Sequence, residues 1–401
     1  MRIQQLRLQN FRNYEDQLLT AVPGDNIFVG QNAQGKTNIL EAIFLMTCAR
    51  SHRTGRDPEL IRQGADHYRI ELTFSGWRGE DQELVIFYQD LDKSSDRELV
   101  RNLASHKRKR REITYQGARL ESLAELYGLF QAVIFAPEDL QLVKGAPSER
   151  RRFIDLLLSK VDQNYFRHLQ QFQQILRERN QLLKQAKRSK NQFLQLQLEL
   201  WTERLAAAGA ELIQRRILAI EELTLFAQAA LDTLSAGRER LAISYESYEH
   251  FQPEQSLEEI SESYRQRLER SLQEDILRGS TSYGPQRDDL GLEINELQAK
   301  IYASQGQQRS LALALRIAEL KYIEAETSER AVLLLDDVLS ELDPKRRTAL
   351  FTAVESEQVF LTCADSEQVI SSLAALGCST NPGDAHRCAL FKVESGQLER
   401  A

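Results

Sequence analysis

The sequence predicts an α/β protein: a head built on a mixed β-sheet with an antiparallel β lobe, and an all-helical arm inserted between the two halves of that head. Three observations carry this. Two apolar runs have the composition of buried strands, Asn26-Ile27-Phe28-Val29 near the start and Ala331-Val332-Leu333-Leu334-Leu335 near the end. Period-two alternation marks Tyr68 to Phe74 and Glu83 to Tyr88. Helical spacings of three and four run from Phe166 through Ile276. The head is expected over 1–145 and 278–401 and the arm over 146–277.

In chain order, Ile3, Leu6, Leu8 and Phe11 begin a strand and turn, and Tyr14 to Leu19 can pair back before Pro23-Gly24. Next, Gly30-Gln31-Asn32-Ala33-Gln34-Gly35-Lys36-Thr37 fits G-x-x-x-x-G-K-[ST] at every fixed position. Strand before and apolar helix after (Asn38 to Leu45) are the context that motif needs, which argues against a chance match in a Gly/Gln-rich turn. The glycines allow successive N–H groups to aim inward, and the helix start adds the positive end of its dipole, so polyphosphate is favoured. Lys36 is expected to reach the β and γ phosphates, and the Thr37 hydroxyl to ligate Mg²⁺. Ser51 to Arg56 is polar and irregular; Arg53 and Arg56 there face nucleotide, DNA or plain solvent.

The alternating segments form an antiparallel hairpin, and Glu112 to Gly117 adds a strand of the same sheet. Ala132 to Ala136 is another buried-strand candidate, and Ser148 is read as the cap of a long helical region. A further helix runs from about Phe193 to Phe226, with the basic Lys184 to Asn191 stretch as the turn before it. Leu241 to Tyr245 is strand-like, and Ile260, Tyr264, Leu268, Leu272 and Ile276 mark one more helix. Sustained heptads are missing, so a long coiled coil is not expected.

The apolar run at 331–335 ends in Asp336-Asp337, carboxylates at the carboxyl end of a strand, where parallel sheets bind ligands. Asp336 would hold Mg²⁺ through water opposite Thr37, and Asp337 would polarise an attacking water. A solvated acidic turn is the plain alternative, and the upstream phosphate loop counts against it. Ser304-Gln305-Gly306-Gln307-Gln308-Arg309 opens a strong helix and is a second anion-friendly helix start.

With 401 residues, 42% of them hydrophobic, the chain can hold sizeable cores in two or three domains. Cys48, Cys363, Cys378 and Cys388 form no C-x-x-C pair, so neither disulfides nor a zinc site is expected and a reducing cytosol is. No signal-peptide core and no membrane-length apolar run is visible, so neither export nor membrane insertion is expected. A net charge of −7 means that DNA contact must come from local basic clusters. Three stand out: His106-Lys107-Arg108-Lys109-Arg110-Arg111 with Arg101 nearby, Arg150-Arg151-Arg152, and Lys184, Lys187, Arg188 and Lys190. Solvated faces are the ordinary reading of such runs.

Taken together these pieces resemble the ATP-binding-cassette head of the SMC class, and within it the RecF family of DNA-gap repair proteins. The likeness rests on Asn10-Phe11-Arg12-Asn13-Tyr14, Ser51-His52-Arg53-Thr54, Ala136-Pro137-Glu138-Asp139-Leu140, Gly284-Pro285-Gln286-Arg287-Asp288-Asp289, the signature-like loop at 304–309, and Leu334 to Val338 followed by Leu339-Ser340-Glu341-Leu342-Asp343. It implies ATP and Mg²⁺ as cofactors. ATP contacts would come from Gly30, Gln31, Asn32, Ala33, Gln34, Gly35, Lys36, Thr37, Asn38 and Arg12 of one copy, with Ser304, Gly306, Gln307 and Asp343 of a second. Thr37 and Asp336 would hold the metal, Asp337, Lys36 and Glu138 would act in slow hydrolysis, and Lys107 to Arg111 would meet DNA. Three departures stand out: no plain Q-loop glutamine (Glu138 is the candidate, Gln131 the second), no switch histidine after Thr362-Cys363-Ala364-Asp365, and Asp337 in place of glutamate. The likeness further implies an ATP-dependent homodimer on gapped or junction DNA, acting with RecR, RecO and RecA in the cytoplasm at the nucleoid. A transporter ATPase, a chromosome tether and a nuclease are the competing classes; the long arm, the missing coiled coil and the lack of a further acidic cluster argue against each in turn.

Overall fold

Leu6 and Leu8 alternate onto the buried face of β1 (Arg2–Phe11), while Ile3 and Phe11, at odd spacings from them, are buried as well. A register shift between Ile3 and Gln5 accounts for the first, and the positive φ of Asn10 for the second. The computed structural model describes residues 1–76, 79–91, 109–188, 192–354, 357–364 and 387–400. They fall into two compact units, Met1–Glu138 with Glu319–Ala401, and Asp139–Ala318.

In the first unit, β1 is followed by β2 (Tyr14–Thr20), β3 (Gly24–Val29) and α1 (Lys36–Cys48). Then come β4 (His67–Ser75), β5 (Asp81–Asp90), β6 (Lys109–Tyr115), β7 (Ala118–Arg119) and β8 (Ala132–Phe135). An antiparallel sheet runs in the order β2-β1-β4-β5-β6-β7, as the alternation in the sequence predicts. Strand β6 starts inside the basic run rather than after it, with Lys109, Arg110 and Arg111 opposite Asp90, Gln89 and Tyr88.

The second unit holds α2 (Pro147–Val161), α3 (Gln163–Arg188), α4 (Gln192–Ser235), β9 (Leu241–Glu246), α5 (Leu257–Arg270), β10 (Asp289–Ile294), β11 (Leu297–Gln298) and the start of α6 (Gln305–Thr327). Ala146 takes the cap position of α2 with Pro147 next, and Ser148 sits inside the first turn, because Pro at the first helical position has no N–H to satisfy. The period-four stretch after Leu257 breaks at Ser271 into α5 and a short helix, Leu272–Arg278. Arg179 of α3 and Asp275 of that short helix, both without solvent exposure, pair at 3.0 Å, and Thr202 and Thr281 take further Arg179 donors. That network ties the helices together. β9 pairs antiparallel with β10, so this unit carries a small sheet among its helices. The sequence reading divides head from arm at 145/146 and 277/278; compactness divides the chain at 138/139 and 318/319, since the β9–β10 pairing keeps 289–294 with the helices.

The chain returns to the first unit with β12 (Val332–Asp336), α7 (Pro344–Ala353), β13 (Gln358–Cys363), β14 (Arg387–Glu394) and β15 (Gln397–Arg400). These complete a mixed sheet in the order β15-β14-β3-β13-β12-β8, parallel throughout except for the β14–β15 hairpin. Phe28 of β3 stacks between Phe360 and Phe391 of its two neighbours, at 6.2 and 5.4 Å. Cross-strand pairs of this kind are worth roughly 0.2–1 kcal/mol each. Helix α1 packs on β8, β12 and β13 of this sheet and on β4 and β5 of the antiparallel one. Covered from both sides, it is buried continuously from Ile39 to Cys48, which is why it is apolar on every face apart from Glu41 and Thr47. No helix among the described residues is long and apolar enough to cross a membrane.

Candidate functional site

Because β3, β8, β12 and β13 run parallel, their carboxyl ends share one edge. The Gly30–Thr37 loop leaves β3 there, Asp336 closes β12, Thr362 lies near the end of β13, and Glu138 follows β8. Fold topology therefore gathers what the sequence scatters.

The loop is held from both flanks. On one, the Asn13 amide donates to Gln34 O at 2.8 Å, the Tyr14 hydroxyl donates to Gly35 O at 3.0 Å, and the Asn38 amide donates to Asn13 Oδ1 at 2.8 Å. Gly35 has φ +118°, and a Cβ there would lie 2.6 Å from Asn13 Nδ2 and 2.9 Å from the Tyr14 hydroxyl. On the other flank, a Cβ on Gly30 would lie 2.4 Å from Val393 O. The two-residue turn of the β14–β15 hairpin also reaches the loop: Ser395 N donates to Gln34 Oε1 at 2.7 Å and Gly396 N to Gln34 O at 3.2 Å. Both turn residues have positive φ, as a two-residue hairpin of this twist requires. Gln31, Asn32 and Ala33 at the crest are exposed. The Lys36 ammonium rests on Gly30 O at 2.5 Å and Gln31 O at 2.9 Å, and burial lowers its pKa against the pull of Asp337 and other acidic groups nearby.

Opposite the loop, Asp336 Oδ1 accepts from the Thr37 hydroxyl and from the Thr362 hydroxyl, each at 2.8 Å. Burial raises the Asp336 pKa; the two hydroxyls oppose this and the Glu138 carboxylate reinforces it. Hydroxyl and carboxylate oxygens facing one another are hard donors suited to Mg²⁺, which uses few protein ligands and keeps several waters. Asp337 follows in a left-handed conformation, φ 52°, with its N–H on Thr362 Oγ1 at 2.9 Å. Glu138 is exposed after β8, on the same sheet edge, whereas Gln131 precedes β8 and pairs by its carbonyl with Val332 N at the opposite edge. Strand direction thus separates the two Q-loop candidates.

Arg12 is engaged by the protein itself: it makes a two-point pair with the buried Glu41, at 2.8 and 2.7 Å, and donates to Glu59 O at 2.9 Å. Ser51 also donates to Glu41, and Arg53 bridges Glu41 at 3.7 Å and Asn38 Oδ1 at 3.2 Å. The Ser51–Thr54 motif therefore folds back beside the phosphate loop. The sequence alone leaves Arg53 open and assigns Glu41 no role; the one signal is a carboxylate in an otherwise apolar helix.

In the second unit, Ser304 is exposed and caps α6, accepting from Gln307 N at 3.3 Å while Gln307 Oε1 accepts from Ser304 N at 2.9 Å. The signature-like loop is a reciprocal capping box, with Gly306 in the first helical turn. In the first unit, Asp343 caps α7, accepting from Arg346 N at 3.0 Å.

The basic run is divided. Lys107 and Arg108 lie outside the described residues, as does Asp365, and of Lys109 only the backbone is described. Arg110 is exposed and pairs with Glu112 at 2.9 Å. Arg111 pairs with Asp57 and donates to Ala49 O at 2.9 Å, so its guanidinium is spent inside the protein.

Comparison with known proteins identifies the family and the fold. The RecF/RecN/SMC N-terminal domain family matches residues 2–384. The DNA replication and repair protein RecF of Ruminiclostridium cellulolyticum is 38% identical over 375 residues, 94% of this chain and 96% of that one. Its counterpart from Lacticaseibacillus paracasei is 37% identical over 405 residues, 100% of both chains. Among solved structures, the recombination mediator protein RecF-ATP in the RecFOR pathway superposes with a TM-score of 0.85 at 31% identity, covering 100% of this chain and 97% of that one. An Smc head domain derived from Pyrococcus furiosus, at 17% identity and a TM-score of 0.52 over 100% of this chain and 96% of that one, shares the fold.

Proposed function

This chain belongs to the RecF family within the RecF/RecN/SMC class, and on that footing we propose that it is an ATP-dependent DNA-binding protein of recombinational repair. The observation that carries the reading is the Thr37 hydroxyl on the Asp336 carboxylate at 2.8 Å: two residues 299 positions apart, each of the type a magnesium–nucleotide complex needs. In this reading the loop N–H groups from Gly30 to Asn38 hold the phosphates, and Lys36 leaves the Gly30 and Gln31 carbonyls to meet the β and γ phosphates. Thr37 and Asp336 would hold Mg²⁺, which would supply charge neutralisation for the bound polyphosphate. Asp337 orients the attacking water and Glu138 senses the γ-phosphate end of the site. Asp337 in place of glutamate and the missing switch histidine suit a slow, DNA-dependent ATPase.

Ser304, Gly306 and Gln307 at the α6 start, with Asp343, close the site of a second copy, so ATP joins a symmetric dimer and hydrolysis releases it. Arg12, although its guanidinium is paired with Glu41, is read as a further nucleotide contact of the first copy. The dimer engages gapped or junction DNA in the cytoplasm, at the nucleoid, and works with RecO and RecR to help load RecA. Light scattering with ATP tests the assembly. Lys36→Met is expected to abolish ATP-dependent dimers, and Ser304→Arg to retain nucleotide binding yet stay monomeric. A Ser304→Arg protein that dimerises normally refutes the cross-subunit role.

A further inference from the structure

The segment Gly284-Pro285-Gln286-Arg287-Asp288-Asp289 has no role in the nucleotide reading above, yet its approach and its backbone are held from several elements of the second unit. Asn180 Oδ1 accepts from Thr281 N at 2.7 Å, Asp275 Oδ1 accepts from Ser282 N at 2.9 Å, the Tyr264 hydroxyl donates to Tyr283 O at 3.1 Å, and Arg216 donates to Pro285 O at 2.8 Å. Its carboxylates are consumed inside. Asp288 is buried and accepts from the Tyr245 hydroxyl at 2.6 Å, and Asp289 forms a two-point pair with the buried Arg150 at 2.9 and 2.6 Å. What faces solvent is Arg287, exposed and with no carboxylate within 4.0 Å among the described residues.

A second cation lies against it. Arg151 donates to Asp288 O at 2.8 Å and to Arg287 O at 3.4 Å, so its guanidinium braces the loop through carbonyls. Arg152, next on α2, is exposed. Successive helix positions turn by about 100°, which sorts this basic run into an inward Arg150, a loop-side Arg151 and an outward Arg152.

We propose that Arg287, supported by Arg151, is a contact for the backbone phosphates of duplex DNA. This rests on the DNA-binding function proposed above and assigns part of it to a site outside the Lys107–Arg111 run. A guanidinium fork matches phosphate oxygens in pairs. A loop already fixed at its carbonyls loses little freedom on binding. In a chain of net charge −7, an exposed arginine whose adjacent acids are both turned inward is a local attractor for a polyanion.

Fluorescence anisotropy of the full-length protein with ATP, over a salt series and on labelled duplex and single-stranded oligonucleotides of equal length, tests this. Arg287→Gln is expected to weaken duplex binding about 3- to 10-fold and to reduce the slope of log K against log salt by about one, the signature of one lost phosphate contact. Arg287→Lys is expected to restore the slope, while nucleotide binding and ATP-dependent dimerisation stay at parental level in both variants. Unchanged duplex affinity and slope in Arg287→Gln overturns the proposal, as does a loss confined to the single strand. Lost dimerisation with intact DNA binding also overturns it, and assigns Arg287 to contact between copies. A parent protein that binds neither oligonucleotide sinks the DNA reading itself, and this inference with it.

Discussion

Replacing Gly35 by alanine tests the architecture of the phosphate loop. At φ +118° an L residue is strained, by about 1–3 kcal/mol. The new methyl would also stand 2.6 and 2.8 Å from the Asn13 amide atoms and 2.9 Å from the Tyr14 hydroxyl. Relief requires those side chains to move, which breaks the Asn13 bond to Gln34 O and the Tyr14 bond to Gly35 O, each worth about 1 kcal/mol. The sum is about 3–5 kcal/mol, or about 10 °C in Tm for a unit of this size. Urea unfolding and scanning calorimetry without nucleotide measure it, and a fluorescent ATP analogue reports the loop, where binding should be lost. The decisive comparison is a mutant cycle. If Asn13→Ala with Tyr14→Phe is made first, the collision is gone and Gly35→Ala should cost only the backbone strain, so the combined loss falls short of the sum by about 2 kcal/mol. Full additivity would refute the claim that Asn13 and Tyr14 shape the loop through Gly35.

Asp336→Asn keeps an acceptor for Thr37 and Thr362 but removes a buried charge, so ligand-free stability should hold or rise while Mg²⁺-dependent ATP turnover falls by about 100-fold or more; calorimetry paired with a phosphate-release assay separates the two. Because burial raises the Asp336 pKa above its ordinary 3.8, its contribution to stability is fully present below that value and is lost as pH rises through the raised one. Mg²⁺–nucleotide affinity should run the other way, weakening on acidification at a higher pH than an ordinary aspartate would give, and titration calorimetry of parent against Asp336→Asn isolates that step. Arg111→Ala leaves Asp57 and the Ala49 carbonyl without their donor and should destabilise by about 1–3 kcal/mol, whereas Arg110→Ala, on an exposed pair, should stay within about 0.5 kcal/mol; urea midpoints distinguish them.

The phosphate loop and the acidic strand are legible in the sequence because each is a local signal: a glycine-spaced turn between strand and helix, and an apolar run ending in carboxylates. The antiparallel lobe is legible through its alternation. What escapes is decided by partners remote in sequence or by direction. Gln34 and Ser395 are 361 positions apart, and nothing in a Ser-Gly turn announces a brace for a loop at the other end of the chain. Gln131 and Glu138 are both plausible until strand polarity puts them on opposite edges of the sheet. Arg150-Arg151-Arg152 reads as one basic patch until the helix turns each residue toward a different surrounding, and Ser148 reads as a cap until Pro147 claims the first helical position.

The grip of the β14–β15 turn on Gln34 also has a consequence for biosynthesis. Until residues 387–400 have left the ribosome, the nascent nucleotide pocket lacks one of its two walls, however early its own glycines were made. Until those strands dock, the phosphate loop is braced by Asn13 and Tyr14 alone.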